Sequence, residues 1–168
     1  PEPMLHYLKM IDRLGYPYCF QMSVTDYEKD IEPNLPTTEE SIASFILLSE
    51  RLGKERVDFR FDPVLLTDRY TVSYHLEQFD MLCGWLHRYT TRCIFSFVDT
   101  YRGSPFGEPE EEEKIRLAQG FAKIAEKYGL PLYTCAENLD LATCGIRHAA
   151  CIDREKIEKI VGYKLDLK

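Results

Sequence analysis

The chain has 168 residues, a net charge of −7, 45% hydrophobic and 29% charged residues, the length and make-up of one globular domain with its own core. The acidic balance and the scattered Lys and Arg argue against a nucleic-acid partner, whose phosphates need a basic surface. No apolar run approaches the roughly 20 residues that span a bilayer and no signal peptide is visible, so no membrane partner is expected.

Taken in order, Pro3 opens a helix whose stripe is Met4/Leu5, Leu8, Ile11 and Leu14, with Gly15 as its stop. Tyr18 to Thr25 alternates as a strand. Tyr18, Phe20, Met22 and Val24 form a greasy face, and Cys19, Gln21, Ser23 and Thr25 a polar one suited to a barrel interior or a site. Residues 26–36 are a loop rich in Asp, Glu, Asn and Pro, which reads equally as a substrate loop or as a solvated connection. Thr37 and Glu40 make a capping box for a helix through Ile42, Phe45/Ile46, Ser49 and Leu52, ended by Gly53.

Val57, Phe59 and Phe61 alternate against Asp58, Arg60 and Asp62 in the next strand, which is expected to stop at Asp62 because Pro63 has no N–H for the ladder. Thr71 caps a helix over 71–89 carrying Val72, His75/Leu76, Phe79, Leu82 and Leu86. Cys93 to Asp99 is apolar on both faces, as a strand covered on both sides should be. A Gly/Pro loop follows from Tyr101 to Gly107. Glu110 to Glu113 behind Pro109 suit the positive end of a helix dipole better than a metal, and that helix runs to Gly129. Leu132 to Glu137 is a strand ending in a thiol and a carboxylate on one face. A fifth strand falls near Ile146–Cys151, and Asp153 caps a last helix with Ile157, Ile160 and Val161.

Strands alternating with helices at this spacing predict a parallel sheet with helices outside. The strands are too few for an eight-stranded barrel. The expected fold class is α/β, a partial (β/α) barrel-like parallel sheet with outer helices. The chain reads as a single domain over 1–168 and, beginning at Pro1 rather than Met, as a piece of a longer barrel-like protein.

Lined up by strand, the carboxyl ends carry Gln21 and Thr25, Arg60 and Asp62, Ser96 and Asp99, and Cys135 and Glu137. On one strand alone, Arg60 and Asp62 are more simply a structural ion pair. Four consecutive strands delivering such groups to the end where parallel α/β folds bind ligands make a better case for a site. Arg60, Asp62, Asp99 and Glu137 are therefore the candidate catalytic residues, for acid–base chemistry or for a metal of unassigned type. A second group, Cys135, Cys144, His148 and Cys151, has the chemistry for zinc or an iron–sulfur cluster. Its spacing lacks a tight C-x-x-C, so buried thiols and a lone histidine are the commoner reading. Six widely spread cysteines do not make a disulfide scaffold, and they point to a reducing, cytoplasmic compartment.

Asp30-Ile31-Glu32-Pro33-Asn34-Leu35-Pro36, the stretch Phe59 to Thr71, Ser96 to Asp99, Leu132 to Glu137 and His148 to Asp153 occur in order across the chain. Together they resemble the bacterial domain of unknown function 1848 family, whose members extend into a cysteine-rich tail similar to the three-cysteine motif of radical-SAM enzymes. The resemblance implies the barrel-wall segment of an iron–sulfur, radical-SAM-related enzyme acting on an unassigned small molecule. Cys135 and Cys151, inside two of the matching motifs, would be cofactor ligands in the full-length protein. The alternatives are a metal-assisted hydrolase or lyase barrel using the carboxylate rim, and a non-catalytic interaction domain.

Overall fold

The computed structural model describes residues 2–99, 106–135 and 137–166. Five parallel strands form one sheet in the order β1 to β5: β1 Phe20–Ser23, β2 Val57–Val64, β3 Cys93–Phe97, β4 Leu132–Thr134 and β5 Arg147–His148. Helices α3 Thr38–Leu52, α4 Val72–Leu86 and α5 Glu111–Lys127 connect β1 to β4. α1 Glu2–Leu5 and α2 Leu8–Leu14 precede the sheet, and α6 Arg154–Val161 follows it. Each strand pairs with the next in sequence, and no reversal of winding occurs. Right-handed crossovers then deliver α3, α4 and α5 to one face. The result is an unclosed arc of a barrel, as the alternation predicts. Among the described residues no helix is long and apolar enough to cross a membrane.

The core lies between that face and the helices. Val57, Phe59 and Phe61 of β2, Cys93, Phe95 and Phe97 of β3 and Leu132 of β4 bury against Phe45 and Leu48 of α3, Phe79, Leu82 and Leu86 of α4, and Leu117 and Phe121 of α5. Phe121 is the hub of an aromatic group, its ring 4.6 Å from Phe79, 5.3 Å from Phe95 and 5.5 Å from Phe61. Cys83 and Cys93 are core fillers, fully buried. Because side chains alternate along a strand, Asp58, Arg60 and Asp62 of β2 are left for the opposite, concave face.

The helix caps fall where the residue pattern puts them. The Thr37 hydroxyl accepts from the Glu40 N–H while the Glu40 carboxylate accepts from the Thr37 N–H. Thr71 caps α4 and Asp153 caps α6 through their side-chain oxygens. β1, β3 and α4 are shorter than expected, at Phe20–Ser23, Cys93–Phe97 and Val72–Leu86, because the strand ends lack register partners and Thr71 and His87 are the caps of the helix. Three further differences are larger. The first helix is two short ones, because only Leu8 of its stripe is fully buried and Met4 and Leu14 lie exposed with no core to hold them. β2 does not stop at Asp62 but continues through Pro63 to Val64. The register with β3 shifts between Phe61 and Val64, and the missing Pro63 donor falls in that irregularity, a position where sheets tolerate proline. β4 ends at Thr134, three residues early, so Glu137 leaves the sheet. The expected loop at 101–107 lies outside the described residues up to 105, as does Ala136.

α4 and α5 pack closely where α5 carries Gly120. A Cβ there would stand 2.3 Å from Leu76 Cδ2. Alanine raises helix propensity by about 1 kcal/mol over glycine, but overpacking costs about 1–3 kcal/mol. Gly120→Ala is therefore expected to lower the melting temperature, and Leu76→Ala in the same chain to relieve part of that loss. A melting temperature raised by Gly120→Ala alone would show that Leu76 swings aside freely.

Candidate functional site at the carboxyl ends of the strands

The concave face carries two polar layers. At the amino end, Asp58 is fully buried and accepts from Arg92 at 2.8 Å and from Lys156, while Arg92 also pairs with Asp153. Asp153 and Lys156 belong to the start of α6, so this network ties α6 to β2 and to the approach to β3. An open cavity of about 980 Å³ beside it is lined by Arg56, Arg92, Tyr133, Arg147, Asp153 and Lys156, among others. None of the candidate catalytic residues borders it.

At the carboxyl end, Arg60 occupies the centre of a network. Its Nε donates to Asp62 Oδ2 at 2.7 Å and one terminal nitrogen closes the second bond to the same carboxylate. The other terminal nitrogen donates to Gln21 Oε1 at 2.9 Å. The Asp62 carboxylate also accepts from the Ser23 hydroxyl at 2.9 Å and, at 3.5 Å, from Ser96. Both side chains are mostly covered, Arg60 being 18% and Asp62 11% exposed. Pairing with Asp62 holds the guanidinium charged more firmly than usual. The structure thus unites Gln21, Ser23, Arg60, Asp62 and Ser96 from three neighbouring strands.

Cys135 lies on the same rim, next to the Arg60 guanidinium. It is buried, and its Sγ stands 3.1 Å from Sγ of Cys151, an exposed residue of the turn before α6. Burial and the second thiol push the Cys135 thiol up, and Arg60 pulls it the other way. Neither cysteine is in a disulfide. The other members of the expected cysteine–histidine group are elsewhere engaged or apart: His148 Nδ1 is 3.2 Å from Thr134 Oγ1, and Cys144 packs half-buried against the core.

Glu137 turns back from the loop after β4 to accept the Phe97 N–H at 2.6 Å, capping the end of β3. Its half-buried carboxyl is pushed up, first by desolvation and then by the nearby charge of Asp99, with Lys114 opposing. Asp99 itself is exposed, beyond the end of β3. Asp62 belongs to the Arg60 network and Glu137 to the Phe97 cap. Among the described residues no three His, Cys, Asp or Glu side chains gather to hold a metal ion.

The acidic loop at 26–36 walls a second cavity, of about 500 Å³, beginning at Ser23 and bounded by Thr25, Asp26, Asp30, Glu32, Thr38 and Tyr74. The loop is held in place by groups that residue patterns do not single out. The Tyr70 hydroxyl donates to Asp30 at 2.7 Å and accepts the Glu28 N–H, and the Arg69 guanidinium pairs with Glu28 and Asp30. Thr25 donates to Glu32, Thr38 to Asp26, and the Tyr74 hydroxyl to the Asp26 carbonyl. Burial of its ring raises the Tyr27 phenol well above the usual range, and that hydroxyl bridges the Pro63 carbonyl and the Leu65 N–H. The one available signal was that both Asp30 and Tyr70 lie inside the matching motifs.

No curated protein matches the chain. A family model described as a domain of unknown function, DUF1848, matches residues 1–168, the whole of the chain. The motifs that hold the rim and its loop are thus those of a single family, and the chain belongs to the DUF1848 family.

Proposed function

We propose that the chain is the wall of a barrel-type, iron–sulfur, radical-SAM-related enzyme that acts on a small molecule at the carboxyl-end rim of β1 to β4. The observation that carries the reading is the covered Arg60–Asp62 pair, held by Gln21 and Ser23 on the face away from the hydrophobic core. Charges placed off the core face are positioned for a ligand more than for packing, and Ser23, which holds Asp62, also lines the 500 Å³ cavity that Arg60 and Asp62 themselves do not border. In this reading Arg60 orients an anionic group, and Asp62 and Ser23 fix the guanidinium so that binding costs little reorganisation. Glu137, with its carboxyl pushed up by burial, is the acid–base candidate. The iron–sulfur character rests on the family resemblance.

The thiols of this rim do not by themselves fit a cluster. Iron–sulfur clusters are commonly held by four thiolates, and Cys135 and Cys151 are two. Thiolates at about 2.3 Å on one tetrahedral metal stand about 3.8 Å apart, and these sulfurs are 3.1 Å apart. The cluster of this reading is therefore ligated by other cysteines of the gene product. The metal-assisted hydrolase or lyase reading has less support, because Asp62, Asp99 and Glu137 do not meet in one ligand set.

The test is the iron and acid-labile sulfide content of the full-length gene product purified anaerobically. Stoichiometric iron and sulfide, with reductive cleavage of S-adenosylmethionine, is the expected result; absence of both after reconstitution would sink the iron–sulfur reading. Arg60→Lys should lower turnover about 100-fold, because an ammonium cannot reproduce the two bonds to Asp62 together with the one to Gln21. Turnover at the parent rate in that variant would remove Arg60 from the site.

A further inference from the structure

Cys135 and Cys151 stand just beyond the paired ends of β4 and β5, where the Thr134–His148 register and the Ala149 N–H to the Thr134 carbonyl bring their segments side by side. Cys135 follows β4 directly and still bonds the sheet through its N–H to the Phe95 carbonyl at 3.2 Å. Cys151 sits in the turn between β5 and the Asp153 cap of α6. Their sulfurs are 3.1 Å apart, about 1 Å beyond the length of a disulfide bond. They differ in access, Cys151 being exposed and Cys135 only 4% exposed. A cation stands at the buried member, the Arg60 guanidinium. An accessible thiol beside a covered one that faces a fixed positive charge is the arrangement of an attacking and a resolving cysteine.

We propose that Cys135 and Cys151 form a redox-active dithiol on the rim, oxidised to an intramolecular disulfide by exchange with a low-molecular-weight disulfide of the glutathione class. The exposed Cys151 thiolate attacks one sulfur of the small disulfide. The S–S bond of the small molecule breaks, and its other half leaves as a thiolate that takes up the proton Cys151 gave. Cys151 then carries a mixed disulfide. Cys135, 3.1 Å from the Cys151 sulfur in the reduced pair, attacks that sulfur and displaces the second small thiolate, which takes the Cys135 proton. Two protein thiols lose two electrons in all, one small disulfide gains them, and two small thiols result. Reversal by excess small thiol follows the same steps backwards.

The oxidised pair differs from the reduced one where the rim is built. A disulfide sulfur carries no charge and is a poor acceptor, so closing it removes the thiol partner of Arg60. It also staples the end of β4 to the turn that leads into α6. The other cysteines lack such an arrangement: Cys83 and Cys93 are fully buried in the core, and Cys19 and Cys144 have no sulfur partner among the described residues.

The proposal goes beyond the enzyme reading above and does not need it, since its test reads thiol state alone. The full-length gene product is reduced, stripped of iron with a chelator, and equilibrated across ratios of glutathione disulfide to glutathione. It is then quenched in acid, alkylated and peptide-mapped. The expected result is one intramolecular disulfide joining the Cys135 and Cys151 peptides, two hydrogens lighter, while Cys19 and Cys144 stay fully alkylated. Cys151→Ser, at an exposed position that leaves the core untouched, should abolish protection of Cys135. Cys135→Ser should leave Cys151 trapped as a stable glutathione adduct. Parallel alkylation of Cys135 and Cys151 at every ratio would overturn the proposal. So would protection that exists only before iron is removed, which would make the two residues ligands instead.

Discussion

Asp58→Ala lowers the unfolding free energy by about 3–5 kcal/mol, the range for breaking a buried ion network on one side. Asp58 is fully buried and its carboxylate answers both Arg92 and Lys156, whose side chains are 11% and 12% exposed. Removing it leaves Lys156 with no ion pair among the described residues and Arg92 with Asp153 alone. The loss comes mainly from charges stranded away from water and less from the attraction itself. Two comparisons separate those causes. Lys127 and Asp80 form a pair with both side chains well exposed, and Asp80→Ala should cost under about 1 kcal/mol. Replacing Asp58, Arg92 and Lys156 together by apolar residues of similar volume should restore most of the stability that Asp58→Ala removes. Urea unfolding of the three variants measures all of this. If Asp58→Ala were as mild as Asp80→Ala, the network would be wet and α6 would not be seated on the concave face.

Phe121→Ala should cost about 3–5 kcal/mol through the cavity it opens. Its ring meets Phe61 of β2, Phe79 of α4 and Phe95 of β3, and no part of it reaches solvent. Loss of that one ring therefore loosens the contact of two strands and two helices at once, where collapse to fill the space would have to move the sheet itself. Phe121→Leu keeps most of the volume and should cost much less. In urea the midpoint should fall with little change in slope, since the surface exposed on unfolding is nearly unchanged. A midpoint within error of the parent would mean that the helices repack freely over the sheet.

What could be read from residue order was whatever a few neighbouring residues decide among themselves. The Thr37–Glu40 box, the Thr71 and Asp153 caps and the Gly15 stop are each settled within one turn of chain, and each stands where expected. Alternation along β2 was enough to put Asp58, Arg60 and Asp62 on the face opposite Phe59 and Phe61. Sheet neighbours then supplied Gln21, Ser23 and Ser96 to the same rim. Where a strand ends was less legible, because the ladder depends on the partner. Pro63 is harmless at an irregularity in the pairing with β3, and β4 stops at Thr134 where its pairing with the two-residue β5 runs out. That early stop carried Glu137 away from the thiol it was expected to join. Partners far apart in the chain, such as Asp30 with Tyr70 and Asp58 with Lys156, leave no periodic trace in either segment. Only the matching of whole motifs hinted at the first.

The strictly sequential pairing of the strands has a kinetic corollary. Phe20 meets Val57, Phe59 meets Cys93 and Cys93 meets Leu132, so each new strand closes a loop of similar, moderate length onto an edge already formed. The sheet can then grow by accretion, one β–α unit at a time, without waiting for a distant partner. The Asp58–Lys156 contact is different: it spans most of the chain and comes from a helix that adds no strand. Loop-closure entropy rises only slowly with length, by about 0.6 kcal/mol per doubling, so equilibrium hardly notices this span, but order of assembly does. α6 can seat only after the strand it covers exists, and as a short helix held largely by charge it lies toward the more easily opened end of the structure. The concave face is thus built open and covered afterwards at its amino end, while the Arg60–Asp62 network of the carboxyl-end rim is complete as soon as β1 to β3 have joined.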